Sequence, residues 1–208
     1  MAADSKQWLL WISEIQALCR CGLTYTKSEF DKSRFLRLTE IAAEIAAELT
    51  ASPPEPIKNM FTFEQHAYAT PVMDIRSFVL QQDKILLVKE RSDGLWTLPG
   101  GFVDVNEAPY EAVVRETLEE SGFLVKPCNL LALWDKLKHD HPLAWPHIYK
   151  CIFHCELISG EPQVNLEISA IDFFSMDNLP PLSTPRITAK QLTTLYQLVK
   201  SPGPTLFD

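Results

Sequence analysis

The chain has no apolar run long enough for a membrane. The stretch Trp8 to Ile12 is five residues long and gives way at once to Ser13 and Glu14, against the roughly 20 residues that a span requires. Nothing near the N-terminus has the pattern of a targeting signal, so a soluble, cytoplasmic protein with no membrane partner is expected. CxxC pairs are also missing, and the cysteines number five, which argues against a zinc ribbon. Basic residues are in short supply: 19 Lys and Arg stand against 27 Asp and Glu, for a net charge of −8. Up to Lys58 the balance is seven basic to eight acidic, and beyond it twelve to nineteen. Nucleic acid is therefore an unlikely partner, because a protein that grips it does so with excess positive charge. An acidic chain suits the holding of cations. There is no internal repeat, and no low-complexity tract apart from the prolines of ASPPEP.

What remains is ample for a folded protein, with 46% hydrophobic residues over 208 positions. Trp8, Trp11, Ile12, Ile15, Leu18 and Cys19 recur at helical spacing, which predicts a helix over Ser5 to Cys21 with Gly22 as its stop. A second helix begins at SEFD, where Ser28 and Asp31 resemble a capping box, and continues through Phe35, Leu38, Ile41, Ile45 and Leu49. The prolines at 51–56 block a helix and favour an extended linker. The reading is a small helical domain over 1–57, a linker over 51–65, and a second domain over 66–208. Two helices make a thin core, so the helical pair is expected either to pack on the second domain or to pair with another copy of the chain, a homodimer being the preferred reading.

Beyond the linker the period changes. VMDIRSFVLQQ and KILLVKERS form a hairpin around Gln82 and Asp83, and LLALWDKL, HIYKCIFHCEL and AIDFFSM read as further strands. Alternation in HIYKCIFHCEL puts Tyr149, Cys151, Phe153, Cys155 and Leu157 on one face, so these cysteines are buried thiols in a core strand. A last helix is predicted from about Pro185 to Val199, burying Leu192, Leu195, Tyr196 and Val199.

The most informative stretch is GFVDVNEAPYEAVVRETLEESGF, Gly101 to Phe123, whose carboxylates share one basic residue, Arg115. Proline suits a first helical turn and glycine a last one, so Pro109 and Gly122 bracket a helix from about Ala108 to Ser121. Glu116, Glu119 and Glu120 then fall on one face at i, i+3 and i+4, where like charges repel. A solvated acidic face is the ordinary meaning of such a run. The preceding Leu98-Pro99-Gly100-Gly101 shifts the balance towards a divalent cation, because its glycines let backbone approach an ion closely at a strand end.

This stretch resembles the signature of the Nudix hydrolases at eight fixed positions: Gly101, Glu107, Arg115, Glu116, Glu119, Glu120, Gly122 and Phe123. One departure is Thr117, where the family has an aliphatic residue; its methyl can pack while its hydroxyl bonds back into the helix. The resemblance implies a Nudix-type α/β/α sandwich with a mixed sheet, and hydrolysis of a nucleoside diphosphate linked to X by Mg2+ or Mn2+. It implies that Glu116, Glu119, Glu120 and the Gly101 carbonyl are metal ligands, and that Glu107, Arg115 and Gly122 are structural. Glu120 or Glu116 would serve as general base, with Glu167 as a candidate from a late loop.

The N-terminal helices resemble the domain that precedes some bacterial members, which act on CDP-choline or ADP-ribose. Arg76 is a candidate for a phosphate or ribose, and Trp96 for a base, with a place in the core as its alternative. Asp135 and His147, with His139, His141 and Lys138 nearby, are candidates for reading X. Two other readings are a nucleotide sensor on the same fold and an enzyme acting on RNA ends, which the missing basic stripe disfavours.

Overall fold

The computed structural model describes residues 5–53, 55–57, 70–104, 106–144 and 146–208. The chain forms two units, Met1–Pro71 with Leu143–His147, and Val72–Pro142 with Ile148–Asp208.

In the first unit, α1 (Ser5–Tyr25) and α2 (Glu29–Thr50) are joined by three residues, which makes them an αα-hairpin. Ser28 caps α2 by accepting a hydrogen bond from the Asp31 amide at 3.3 Å. Leu9 and Ile12 of α1 meet Ala42, Ala43, Ala46 and Ala47 of α2, with Ile57 and the half-buried Leu143 closing the core. The expected stop at Gly22 does not occur, since α1 runs on to Tyr25. The glycine serves another purpose: a Cβ there would lie 2.4 Å from the Phe35 ring. It leaves room for the Phe35 ring of α2 against α1. Of the expected linker, 58–65 and residue 54 lie outside the described residues. Residues 55–57 form a helical turn with Ile57 buried, so that part is not extended.

The second unit is a seven-stranded mixed sheet: β1 (Val72–Gln81), β2 (Lys84–Glu90), β3 (Trp96–Thr97), β4 (Phe123–Asp135), β5 (Ile148–Gly160), β6 (Ile168–Ser175) and β7 (Leu206–Phe207), in the order β3-β2-β1-β5-β4-β7 with β6 on β2. Gln82 and Asp83 turn the β1–β2 hairpin with φ of 49° and 62°. β1 pairs parallel with β5, and β5 antiparallel with β4. Because both faces of the sheet are covered, strand residues alternate between two cores. On one side Ile75, Val79, Leu86, Cys151 and Cys155 pack against Ala112 and Val113 of helix α3 (Pro109–Ser121). On the other, Phe78, Ile85, Leu87 and Ile152 pack against Leu192 and Leu195 of helix α4 (Ala189–Lys200). A sheet with a helix on each side, preceded by two helices, is the fold class expected from the sequence. Helix α4 starts later than expected because Thr188, not Pro185, is its cap: the Thr188 hydroxyl accepts from the Gln191 amide at 3.2 Å, and Gln191 Oε1 accepts from the Thr188 amide at 3.1 Å.

Candidate active site

Helix α3 is set by its ends. Glu111 accepts from the Ala108 amide at 3.1 Å, Pro109 fills the first position, and the chain leaves in the left-handed conformation at Gly122. Thr117 is buried and donates its hydroxyl to the Val113 carbonyl at 2.6 Å, so the departure from the family pattern is accommodated within the helix.

The three carboxylates differ in surroundings. Glu120 is buried, and its Oε2 accepts from the Gly100 amide at 2.7 Å. Burial lifts its carboxyl to about 7; the Glu116 and Glu90 charges push the same way, and Arg76 and the Gly100 amide oppose them. Glu116 is also raised by burial, against the hydrogen bond it accepts from Arg115 Nη1 at 2.8 Å. Glu119 is exposed and accepts from the same nitrogen at 3.2 Å. Arg115 also grips Glu107 in a bidentate pair at 2.7 and 2.8 Å.

The Leu98–Gly101 segment lies beside this helix. Gly101 accepts from the Ile75 amide at 2.8 Å, and Pro99 from the Ser77 amide at 2.8 Å. Gly100 adopts φ of 138°, and a Cβ there would lie 2.1 Å from the Ile75 carbonyl oxygen; only glycine lets its amide face Glu120. At Gly101 a Cβ would come within 2.9 Å of the Glu116 carboxylate, so that carboxylate rests directly over the backbone.

The donor set suits a hard divalent cation: carboxylate oxygens on one helix face, two of them raised above their ordinary pKa by burial, beside a backbone carbonyl. Among the described residues no three His, Cys, Asp or Glu side chains already stand as a ligand set. Their partners explain this, as Arg115 engages Glu116 and Glu119 while Gly100 engages Glu120.

The other candidates are distributed differently. Glu167 is exposed, in a loop docked on α3: Asn165 Nδ2 donates to the Glu119 carbonyl at 2.6 Å, and Asn165 Oδ1 accepts from the Glu167 amide at 2.8 Å. Arg76 is buried and committed, with Nε donating to Asp74 at 2.8 Å and Nη1 to the Leu98 carbonyl at 3.0 Å. Trp96 packs in the core, edge to face with Phe174 at 4.7 Å. Asp135 caps a 3-10 turn at Lys136–Lys138 by accepting from the Leu137 amide at 2.9 Å. His147 belongs to the first unit, and Arg76, Trp96 and Asp135 to the second. Of the remaining histidines, His139 contacts Asp208 at 3.1 Å and His141 Nδ1 contacts the Thr184 carbonyl at 2.7 Å.

Sequence reasoning missed the ion network inside the sheet. Asp74 is bonded to Arg76 and, through its other oxygen, to Lys150, which is 1% exposed. Burial opposes ionisation of Asp74, but the two cations outweigh it and hold the carboxyl below its ordinary range. Burial pulls Lys150 down to about 8 against the pull of Asp74. Glu90 pairs with Arg186 at 3.1 Å, and Arg186 with Asp93 at 3.0 Å. The signal in the sequence was weak but present: Asp74 and Arg76 inside the apolar strand MDIRSFVL and Lys150 inside IYKCIF.

A helix of clustered carboxylates over a glycine-rich strand end, on a mixed sheet between helices, defines a Nudix hydrolase. Residues 71–195 match the family model described as the NUDIX domain, and the chain belongs to that family; it is a Nudix pyrophosphatase by class, and such hydrolases generally use divalent metals. Residues 6–61 match a second model, "UDP-X-like, N-terminal oligomerisation domain". Among relatives, the "Putative ADP-ribose pyrophosphatase YjhB" of Bacillus subtilis is 37% identical over 203 residues, 97% of both chains. A solved ADP-ribose pyrophosphatase from Streptococcus suis is 42% identical, with a TM-score of 0.62, over 67% of this chain and 100% of its own. A solved UDP-X diphosphatase is 32% identical, with a TM-score of 0.65, over 99% of this chain and 100% of its own.

Proposed function

We propose that the protein hydrolyses the pyrophosphate bond of a nucleoside diphosphate linked to X, foremost ADP-ribose, giving AMP and ribose 5-phosphate, with Mg2+ or Mn2+. The observation that carries this is the carboxylate face of α3 with Glu120 buried beside the Gly100–Gly101 backbone. ADP-ribose is put first because two relatives bear that name. A UDP-linked substrate is the second reading, since the UDP-X diphosphatase matches both the helical and the catalytic parts of the chain. CDP-choline, implied by the subfamily resemblance, belongs in the same test.

In this reading Glu116, Glu119, Glu120 and the Gly101 carbonyl hold the ions; that carbonyl spends one lone pair on Ile75 and keeps the other. The ions would neutralise the pyrophosphate and ready a water for attack. The chain's own part is to present the carboxylates. Arg115, fixed by Glu107, keeps Glu116 and Glu119 in place until cations take over their charge. Glu120 or Glu116 accepts the proton of the attacking water, and Glu167 is the alternative from the loop docked on Glu119. Trp96 and Arg76, engaged in the core and the ion network, support the site from behind, while Asp135 and His147 stay as candidates for contact with X.

The test is turnover of ADP-ribose, UDP-glucose, CDP-choline and NADH with each metal, identifying both products. Selective cleavage of one substrate, reduced at least ~10²-fold in Glu120→Gln, is the expected result. Silence across the panel while a nucleotide raises the melting temperature would replace the hydrolase with a sensor. A Glu167→Gln enzyme with normal turnover removes that residue from the mechanism.

The assembly is proposed to be a homodimer formed through the first unit. Trp8, Trp11, Ile15 and Leu18 make an exposed stripe along α1, and Leu38 and Ile41 are exposed on α2. Trp8→Glu with Trp11→Glu should give a monomer by sedimentation at micromolar concentration, and a wild-type monomer there would sink the proposal. No described helix is long and apolar enough to cross a membrane; residence in the cytoplasm is part of the proposal.

A further inference from the structure

The sheet end next to the carboxylate helix holds a buried ion network, Asp74 with Arg76 and Lys150, and one half-buried cation outside its pairs. Asp74 pairs in register with Lys150, Lys150 with Trp134, and Asp74 bridges to Phe102, the residue after Gly101. This row crosses three strand spacings, on the order of 14 Å, from the Gly101 side to the end of β4. Lys136 lies two residues beyond Trp134, in the turn capped by Asp135. Its neighbours are spoken for: Arg76 and Lys150 share Asp74, and Arg186 takes Glu90 and Asp93. Lys136 is half-buried, and its ammonium makes no hydrogen bond or ion pair among the described residues. Burial holds its ammonium below the ordinary lysine range, and the nearby charges of Arg76 and Arg186 act the same way, with Asp74 opposing.

A partly desolvated cation without a counterion is costly unless the site receives an anion. The reaction supplies one, because its substrate carries two phosphates. We propose that Lys136 is a substrate-binding residue whose ammonium takes a phosphate oxygen of the nucleoside diphosphate, with Asp74, Arg76 and Lys150 as positioning residues behind it. Lysine suits this as a compact point charge with three donors. His141, near enough to feel the Lys136 charge, adds to the chemistry there. With Nδ1 donating to the Thr184 carbonyl, its Nε2 is an acceptor, and that atom is buried with no partner among the described residues. Burial holds the ring neutral, with a pKa of about 4. A phosphate carried on a sugar, with a hydroxyl to donate, answers both groups.

This inference rests on the pyrophosphatase reading, and its test separates the two. Binding of inorganic pyrophosphate in EDTA is measured by calorimetry for wild type, Lys136→Met and Lys136→Arg. Charge-assisted hydrogen bonds predict at least roughly tenfold weaker binding for Lys136→Met and near-wild-type binding for Lys136→Arg. With substrate and metal, Lys136→Met should raise KM by a similar factor and leave kcat within about threefold. Equal pyrophosphate affinity in wild type and Lys136→Met, no binding by wild type, or an unchanged KM would overturn the assignment. If wild type cleaves nothing in the substrate panel but binds pyrophosphate through Lys136, the proposed reaction fails and the anion site stands.

Discussion

Two charged clusters in the second unit differ in how their charges are paired. Around Arg115, one guanidinium serves Glu107, Glu116 and Glu119, with Asp104 at 3.9 Å, on a rim reached by solvent. Around Asp74, one carboxylate serves Arg76 and Lys150 inside the sheet, with Lys136 unpaired nearby. The first is short of positive charge, and the second leaves Lys136 outside its ion pairs. In the proposed reading the first would receive divalent cations and Lys136 a phosphate. Glu120 belongs to both, since its carboxylate feels Glu116 on one side and Arg76 on the other.

The difference in solvent access sets the expected effects. Asp74→Ala strands two cations within the sheet and should cost ~3–5 kcal/mol in urea unfolding; a loss below about 1 kcal/mol would mean that water reaches the pair and the contrast is false. Next in size is a pH effect without metal. Glu120 titrates at about 7 in the fold against an ordinary 4.5. The folded state therefore holds the proton more tightly, and this contribution is complete below 4.5 and disappears as pH rises to 7. Stability of metal-free protein should fall across that window, by on the order of 3 kcal/mol at most. Glu120→Gln should flatten the fall, and saturating Mg2+ should offset it; a wild-type profile that does not change between the two would remove the Glu120 argument. Smallest is Glu107→Gln, which breaks a half-buried pair at the rim and should lower the melting temperature less than Asp74→Ala does. Equal losses from the two variants would erase the distinction between rim and interior.

The sequence was readable where chemistry is local. The carboxylates of α3 are fixed by spacing along one helix, and Gln82–Asp83 and Ser28 announce a turn and a cap through their own backbone needs. The buried network was not readable, because Asp74 and Lys150 are 76 positions apart and meet through a parallel strand pair. Arg76 looked like a free cation on a strand for the same reason: its anion is two residues away on the same face, where only the fold of Leu98–Gly101 completes the enclosure. The grouping of His147 with the helical unit follows from a loop whose path its composition does not encode. Trp96 was weighed between core and base platform, and it stands half-buried at the edge of the core against Phe174.

Gly22 has a consequence for anyone wishing to make the protein more robust. Within helix α1 it is the position that a propensity scale would replace first, since alanine gains about 1 kcal/mol over glycine in a helix interior. Here the added methyl would strike the Phe35 ring and wedge the hairpin open. If the exposed stripe beside it joins two subunits, the wedge would also tilt that stripe. A change chosen to strengthen one helix would then loosen the assembly.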